Sequence, residues 1–333
     1  MSFLKVSNLT KEYANHCVVN DISFSIEQGE FISLLGPSGC GKSTTLNMIA
    51  GLESPSGGEI HLGNNNITHL PPGKRGLSMV FQSYALFPHL TVKENILFGL
   101  KARRVDKQEQ IKRLKHAIEL VGLEEHIHKK PSQLSGGQCQ RVALARSIAS
   151  QAPLCLMDEP LSNLDTKLRN EMRNELRQLQ KNLGLTLVYV THDQIEAMSM
   201  ADKIILLNQG QVEQQGTPES FYQQPESTFV ARFIGHPPMN LIPHGEHIIG
   251  IRPEHIELNS AGHAATINSC DYQGATTVIN VDIVSGPYQG AKDIQLSLMG
   301  KHHLSTGAQL NILWPEQEQH LFSKTTGKRL AGV

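Results

Sequence analysis

Residues 30–46, EFISLLGPSGCGKSTTL, constrain this chain more than any other stretch. The apolar run reads as a buried strand, the glycine-rich turn breaks it, and Lys42, Ser43 and Thr44 open a helix-compatible segment. Gly36, Pro37, Ser38, Gly39, Cys40 and Gly41 form a turn tight enough for successive backbone N–H groups to converge on one point. The positive end of the following helix dipole aims at the same point, so the turn is suited to an anion. Lys42 adds a charge able to reach β- and γ-phosphates, and the Ser43 hydroxyl is placed to ligand a bridging Mg²⁺. An ordinary strand–turn–helix connection is the plain alternative.

The chain has 333 residues, enough for about two domains. A net charge of −1 argues against a nucleic-acid binder working through a basic face. The cysteines at 17, 40, 139, 155 and 270 never form a C-x-x-C pair, which suggests neither a zinc knuckle nor a disulfide framework. No run of eighteen apolar residues occurs, so membrane work is expected of separate partners.

Short apolar runs over residues 3–35 read as strands leading into the phosphate turn. Tyr13 lies in a loop among them, as a ring for adenine stacking or as a surface tyrosine. LSMVF reads as a strand delivering Gln82. From residue 83 to about 150 the period turns helical, as expected of an inserted helical subdomain. Residues 101–130 carry nine Lys/Arg against five Asp/Glu, which reads as a solvated helix face or a position near anionic lipid. Leu134, Ser135, Gly136, Gly137 and Gln138 precede a helix, and Ser135 there serves as a plain cap or as part of a second anion site. The strand LCLMD ends at Asp158 and Glu159, acids at the edge where α/β ligand sites lie. Asp158 suits Mg²⁺, and Glu159 suits polarising a water for attack on a γ-phosphate. LTLVYV delivers His192 to the same edge, where it is structural or functional. Past Gly235, short strand-like pieces punctuated by Gly, Pro and Asn suggest a small β-barrel over residues 236–333.

As a set, GPSGCGKST, the glutamine of VFQSYALFPHLTV, LSGGQ, LCLMDEP, SNLD and His192 resemble the ATP-binding subunits of ABC transporters, densely over residues 3–235. The resemblance implies an α/β P-loop NTPase core, RecA-like, with the inserted helical subdomain over about residues 83–150 and an ATP- and Mg²⁺-dependent ATPase activity. It implies that Tyr13 stacks on adenine, and that Gln82 touches Mg²⁺ or the attacking water and senses a membrane partner. Glu159 then becomes the catalytic base, His192 the γ-phosphate contact and Asp165 a contact across a dimer. LSGGQ would bind the γ-phosphate held by a second copy, so that two head-to-tail subunits sandwich two ATP molecules.

GIRPEHIEL, FIGHPPMNLI and HLFSKTTGKRL resemble the OB-like (TOBE-type) regulatory domain of carbohydrate-importer ATPases, leaning towards the sn-glycerol-3-phosphate type. This implies two integral-membrane permeases, indirect work with an extracytoplasmic solute-binding protein, no nucleic-acid partner, and a peripheral position on the cytoplasmic face of the inner membrane. Residues 241–250 look shorter than usual, which suggests a trimmed regulatory barrel, and Cys139 after LSGGQ departs from the usual polar or basic residue. A soluble ABC ATPase acting on nucleic acid or ribosomes would need tandem cassettes or a long coiled-coil insertion. A non-catalytic module is opposed by the intact Lys42, Glu159 and His192. Cys40, inside the turn, is expected either as a stabilised, reactive thiolate or as a small apolar group packed away from it.

Overall fold

The computed structural model describes residues 2–14 and 16–330. The strands are β1 (Leu4–Tyr13), β2 (His16–Ile26), β3 (Phe31–Leu35), β4 (Gly57–Leu62), β5 (Asn65–Asn66), β6 (Ser78–Val80), β7 (Leu154–Asp158), β8 (Thr186–Thr191), β9 (Lys203–Asn208), β10 (Gln211–Gly216), β11 (Asn240–His244), β12 (His247–Ile251), β13 (Glu257–Tyr272), β14 (Thr276–Ile283), β15 (Ile294–Met299), β16 (Gln309–Leu313) and β17 (His320–Ser323). The helices are α1 (Lys42–Ala50), α2 (Val92–Ala102), α3 (Lys107–Val121), α4 (Gly136–Ser150), α5 (Thr166–Leu183), α6 (Gln194–Met200), α7 (Pro218–Gln223) and α8 (Thr228–Phe233).

The chain folds as two compact units, Met1–Pro218 and Glu219–Val333. In the first, a six-stranded sheet runs β10-β9-β3-β8-β7-β6, parallel except for β10. β3 and β8 are buried along their whole lengths, as the continuous apolar runs FISLL and TLVYVT require of strands covered on both faces. A second sheet, β2-β1-β4-β5, is antiparallel. Leu4, Val6, Leu9, Ile22 and Ile26 from it share a core with Leu46, Ile49 and the strands β3, β7 and β8. Buried Arg75 fastens α1 below this core: its guanidinium donates to the carbonyls of Met48 (2.7 Å), Ile49 (2.8 Å), Thr68 (2.8 Å) and Leu70 (2.7 Å), two of them at the open end of the helix. The helices α2, α3 and α4 lie within residues 92–150; the expected helical stretch thus starts later than residue 83, because residues 83–91 form turns before the Thr91 cap of α2.

The second unit holds two sheets, β11-β12-β17 and β15-β14-β13-β16, all antiparallel. Ile242, Ile249 and Ile251 of one meet Ala265, Ile279, Val281 and Leu296 of the other in a single core, joined by Trp314 just past β16. The short segment 241–250 is a complete hairpin, with Leu241 opposite Gly250 and His244 opposite His247. The division falls at Pro218/Glu219, ahead of the boundary expected at Gly235. Residues 219–235 join the second unit because Arg252, 1% exposed, donates to the carbonyls of Tyr222 (2.9 Å), Ala231 (3.4 Å) and Ile234, and stacks on the Tyr222 ring at 4.0 Å. Gly235 and the prolines after it mark a break in texture, but this fully buried cation ties the segment before the break to the sheets after it.

Candidate active site

Sheet register builds the site. Leu35 of β3 pairs with Thr191 of β8, and Asp158 of β7 pairs with Val190. Three parallel strands thus end side by side, so the phosphate turn, the acid pair and His192 leave the same edge of the sheet. At that edge Ser43 Oγ donates to Asp158 Oδ1 at 2.9 Å, closing a gap of more than a hundred residues in the chain.

The turn requires its glycines individually. Gly36, Gly39 and Gly41 have φ of 154°, 78° and 99°. A Cβ on Gly36 would lie 2.3 Å from the Leu207 carbonyl, and one on Gly41 2.8 Å from that of Val18. Gly39 faces open space, so conformation alone selects glycine there. Lys42 is buried, and its ammonium donates to the carbonyls of Gly36 (2.9 Å) and Pro37 (2.8 Å), inside the curve where an anion would be held. Pro37 is half-buried, Ser38 exposed and Thr44 half-buried in the same loop.

The surroundings of Cys40 favour one of its two expected readings. Its side chain is 4% exposed and belongs to the main core, 2.6 Å from where a Gly36 Cβ would stand. Burial pushes its thiol above the ordinary value, against the lowering influence of Lys42. Desolvation of a thiolate outweighs the favourable field of the turn, even with Lys42 Nζ 3.9 Å from the sulfur, which supports the packed reading of Cys40. Its backbone still belongs to the turn.

Burial also pushes the Asp158 carboxyl up; the Ser43 hydroxyl and Lys42 oppose this and the Glu159 charge adds to it. A partly buried acid beside a second acid and a hydroxyl is an oxygen donor set that fits a hard divalent cation. Glu159 sits at φ 42°, before Pro160, a backbone conformation that costs on the order of 1–3 kcal/mol. Its amide donates to the Val190 carbonyl at 3.0 Å, which fixes the turn to β8. There Glu159 Oε1 lies 3.1 Å from His192 Nδ1, with the imidazole more than half exposed.

Gln82 reaches the same group. Its Nε2 donates to Ser162 Oγ (3.3 Å), Ser162 Oγ donates to the Glu159 carbonyl (2.9 Å), and Asn163 Nδ2 donates to the Gln82 carbonyl (3.0 Å). Ser162 and Asn163 lie within SNLD, and nothing in their spacing announces a contact with residue 82. Asp165 is exposed and caps α5, accepting from the Leu168 amide at 3.0 Å.

Ser135 caps α4 in a reciprocal box: its Oγ accepts from the Gln138 amide (3.3 Å) while Gln138 Oε1 accepts from the Ser135 amide (2.9 Å). The other end of the Gln138 side chain meets His126 Nε2 at 2.8 Å, and Leu134 enters the helix half-buried. Gly137 packs closely under α5: a Cβ there would stand 2.8 Å from Leu168 Cδ2, which would have to shift to admit it. Gly136 is exposed, at the helix start where amides have no partner inside the helix. Among the described residues no hydrogen bond joins this stretch to residues 36–44. Tyr13 is 45% exposed, with Lys11 Nζ 4.8 Å from its ring centroid and Lys11 itself paired to Glu53 at 2.6 Å.

Residues 19–162 match the ABC transporter family profile, and residues 249–322 match the TOBE domain. The sn-glycerol-3-phosphate import ATP-binding protein UgpC of Ruegeria pomeroyi is 41% identical, the alignment taking in 99% of this chain and 100% of the relative. The spermidine/putrescine import ATP-binding protein PotA of Bacillus cereus is 49% identical over 77% of this chain and 78% of its own. Among solved structures, a dimeric post-hydrolysis ATP-binding cassette bound to ADP and Pi is 35% identical, with TM-score 0.57, covering 65% of this chain and 98% of its own. The ABC transporter component cbiO1 of Clostridium perfringens is 30% identical, with TM-score 0.62, covering 67% and 91%. Fold, site edge and relatives agree: this chain belongs to the ABC transporter family, as an ATP-hydrolysing, ATP-binding subunit of the importer type.

Proposed function

We propose that the chain energises import of sn-glycerol 3-phosphate, or a related polyol or sugar, by ATP-driven closure of a head-to-tail dimer. The observation carrying this reading is the end-to-end match to UgpC, which takes in the second unit as well as the cassette. In this reading Lys42 and the amides of residues 36–44 bind the phosphates, Tyr13 stacks on adenine, and Ser43, Asp158 and Gln82 hold Mg²⁺. Bound Mg²⁺ supplies charge neutralisation on the phosphate oxygens. Glu159 accepts the proton of the attacking water, and His192, held 3.1 Å from it, contacts the γ-phosphate. The Ser135 stretch, with exposed Ser135 and Gly136, serves the nucleotide of a second copy, and Asp165 meets that copy.

No helix among the described residues is long and apolar enough to cross a membrane, so two separate permeases carry the solute and a binding protein delivers it. The subunit then works on the cytoplasmic face of the inner membrane. A polyamine substrate is the second reading, favoured by the 49% identity to PotA over most of the cassette. The test reconstitutes the subunit with its permeases and measures ATPase activity with its binding protein loaded in turn with glycerol 3-phosphate and with spermidine. Stimulation by the glycerol phosphate alone is expected; stimulation by spermidine alone transfers the assignment.

A further inference from the structure

Gln82, Ser162 and Asn163 hold one side of the turn that carries Glu159. The other side is held by Arg169, in the first turn of α5. Its Nη2 donates to the carbonyl of Leu164 at 2.9 Å and lies 3.5 Å from that of Ser162, and its Nη1 stands 3.8 Å from Asp193 Oδ2. Asp193 follows His192 directly, and each of its polar groups is committed: its amide donates to Thr191 Oγ1 (2.9 Å), and its Oδ1 accepts from the amides of Ile195 (2.7 Å) and Glu196 (3.2 Å). Behind it the hydroxyls of Tyr189 (2.8 Å) and Thr191 (2.7 Å) donate to the buried Glu196 carboxylate. One guanidinium therefore spans two segments that are far apart in sequence, the 162–165 loop and the start of α6 at 192–196. A cation in the first turn of a helix opposes the helix dipole, so this placement needs contacts outside the helix to offset it. The two carbonyls and Asp193 are those contacts.

We infer that Arg169 is a positioning residue for hydrolysis: it locks the 162–165 loop to residues 192–196, the turn that opens α6, so that displacement of one displaces the other. The inference rests on the reading of Glu159 and His192 as the hydrolytic pair. Its consequence is that the Asp165 segment, where a second copy is proposed to dock, sets the His192–Glu159 geometry through Arg169.

Two measurements on the full-length chain test this. In steady-state ATPase assays Arg169→Ala lowers kcat about tenfold while KM for ATP stays within about twofold, and Arg169→Lys, which keeps a cationic donor, recovers part of the rate. Amide hydrogen exchange on the same variants needs no turnover, and in Arg169→Ala residues 162–165 and 192–196 exchange faster together while β3, β7 and β8 keep wild-type protection. An unchanged kcat, a kcat loss matched by a KM rise and a general loss of protection, or loosening of one segment alone overturns the inference. A wild-type chain that hydrolyses no ATP, with both segments still loosened together by Arg169→Ala, overturns the proposed function and leaves the coupling standing.

Discussion

At the residue scale, a few side chains carry the chemistry and their environments set what each can do. Glu159 stands in a strained backbone conformation, held by the Val190 carbonyl and the Ser162 hydroxyl. Glu159→Gln keeps that shape and removes the base. We expect ATP binding to persist while turnover falls by about a hundredfold or more, and sizing with MgATP to show an accumulated dimer. A monomer turning over at the wild-type rate would refute the assignment. The cysteines give a second test. Cys17 is exposed, whereas Cys40 and Cys155 are buried with thiols pushed up by desolvation. Peptide mapping after brief alkylation of the native chain should find label at Cys17 and none at Cys40 or Cys155 until denaturant is added. Rapid labelling of Cys40, suppressed by ATP, would restore the reactive-thiolate reading that its burial disfavours.

At the element scale, β17 makes the second unit sensitive to acid. His320, on that strand, has its pKa lowered to about 4 by burial, with the positive charges of Arg329 and Arg252 and nearby His255 adding to the effect. The folded state thus keeps the imidazole neutral where the unfolded chain, titrating near the ordinary 6.5, takes up a proton. Stability from this group is complete above about pH 6.5 and is lost as pH falls towards about 4. Thermal melts of the full chain across that window should therefore fall in Tm, and His320→Gln should flatten the fall. An identical slope in the variant would show that another group titrates. Several helix ends follow their sequence signals, whereas Tyr13 ends β1 rather than lying in a loop and residues 211–216 form β10. Gly51, Gly122 and Gly184 close α1, α3 and α5 in left-handed caps, and Thr91, Asp106 and Ser135 open α2, α3 and α4 with side-chain bonds. Two short strands, β11 and β17, carried no such signal: NLIPH contains a proline, and HLFS is four residues long.

At the scale of the whole molecule, the division at Pro218/Glu219 predicts where the chain can be cut. A product of residues 1–218 should keep nucleotide binding, because every proposed phosphate contact lies within it. Residues 1–235 should bind nucleotide too but expose Phe221, Val230 and Ala231, which are buried in the full chain, and so bind a hydrophobic dye and aggregate at lower temperature. Equal behaviour of the two products would return the boundary to Gly235. Loss of nucleotide binding in both would mean that the first unit depends on the second.

The sequence by itself determined the local parts: the phosphate turn with its three glycines, the strands that end in Asp158 and before His192, and the presence of a helical stretch ending near residue 150, though not its start at Val92. Each depends on backbone conformation and side-chain period, which are properties of neighbours along the chain. Tertiary structure alone decided what those parts meet. Whether Cys40 faces the turn or the core, that Ser43 meets Asp158, that residues 219–235 belong with Arg252, and that Arg169 bridges two segments all follow from strand order, register and packing. Arg169 shows the limit most clearly. On an amphipathic helix an arginine between apolar positions reads as part of a solvated face. Only the fold brings two carbonyls and Asp193 within its reach, at separations in the chain that no local period encodes.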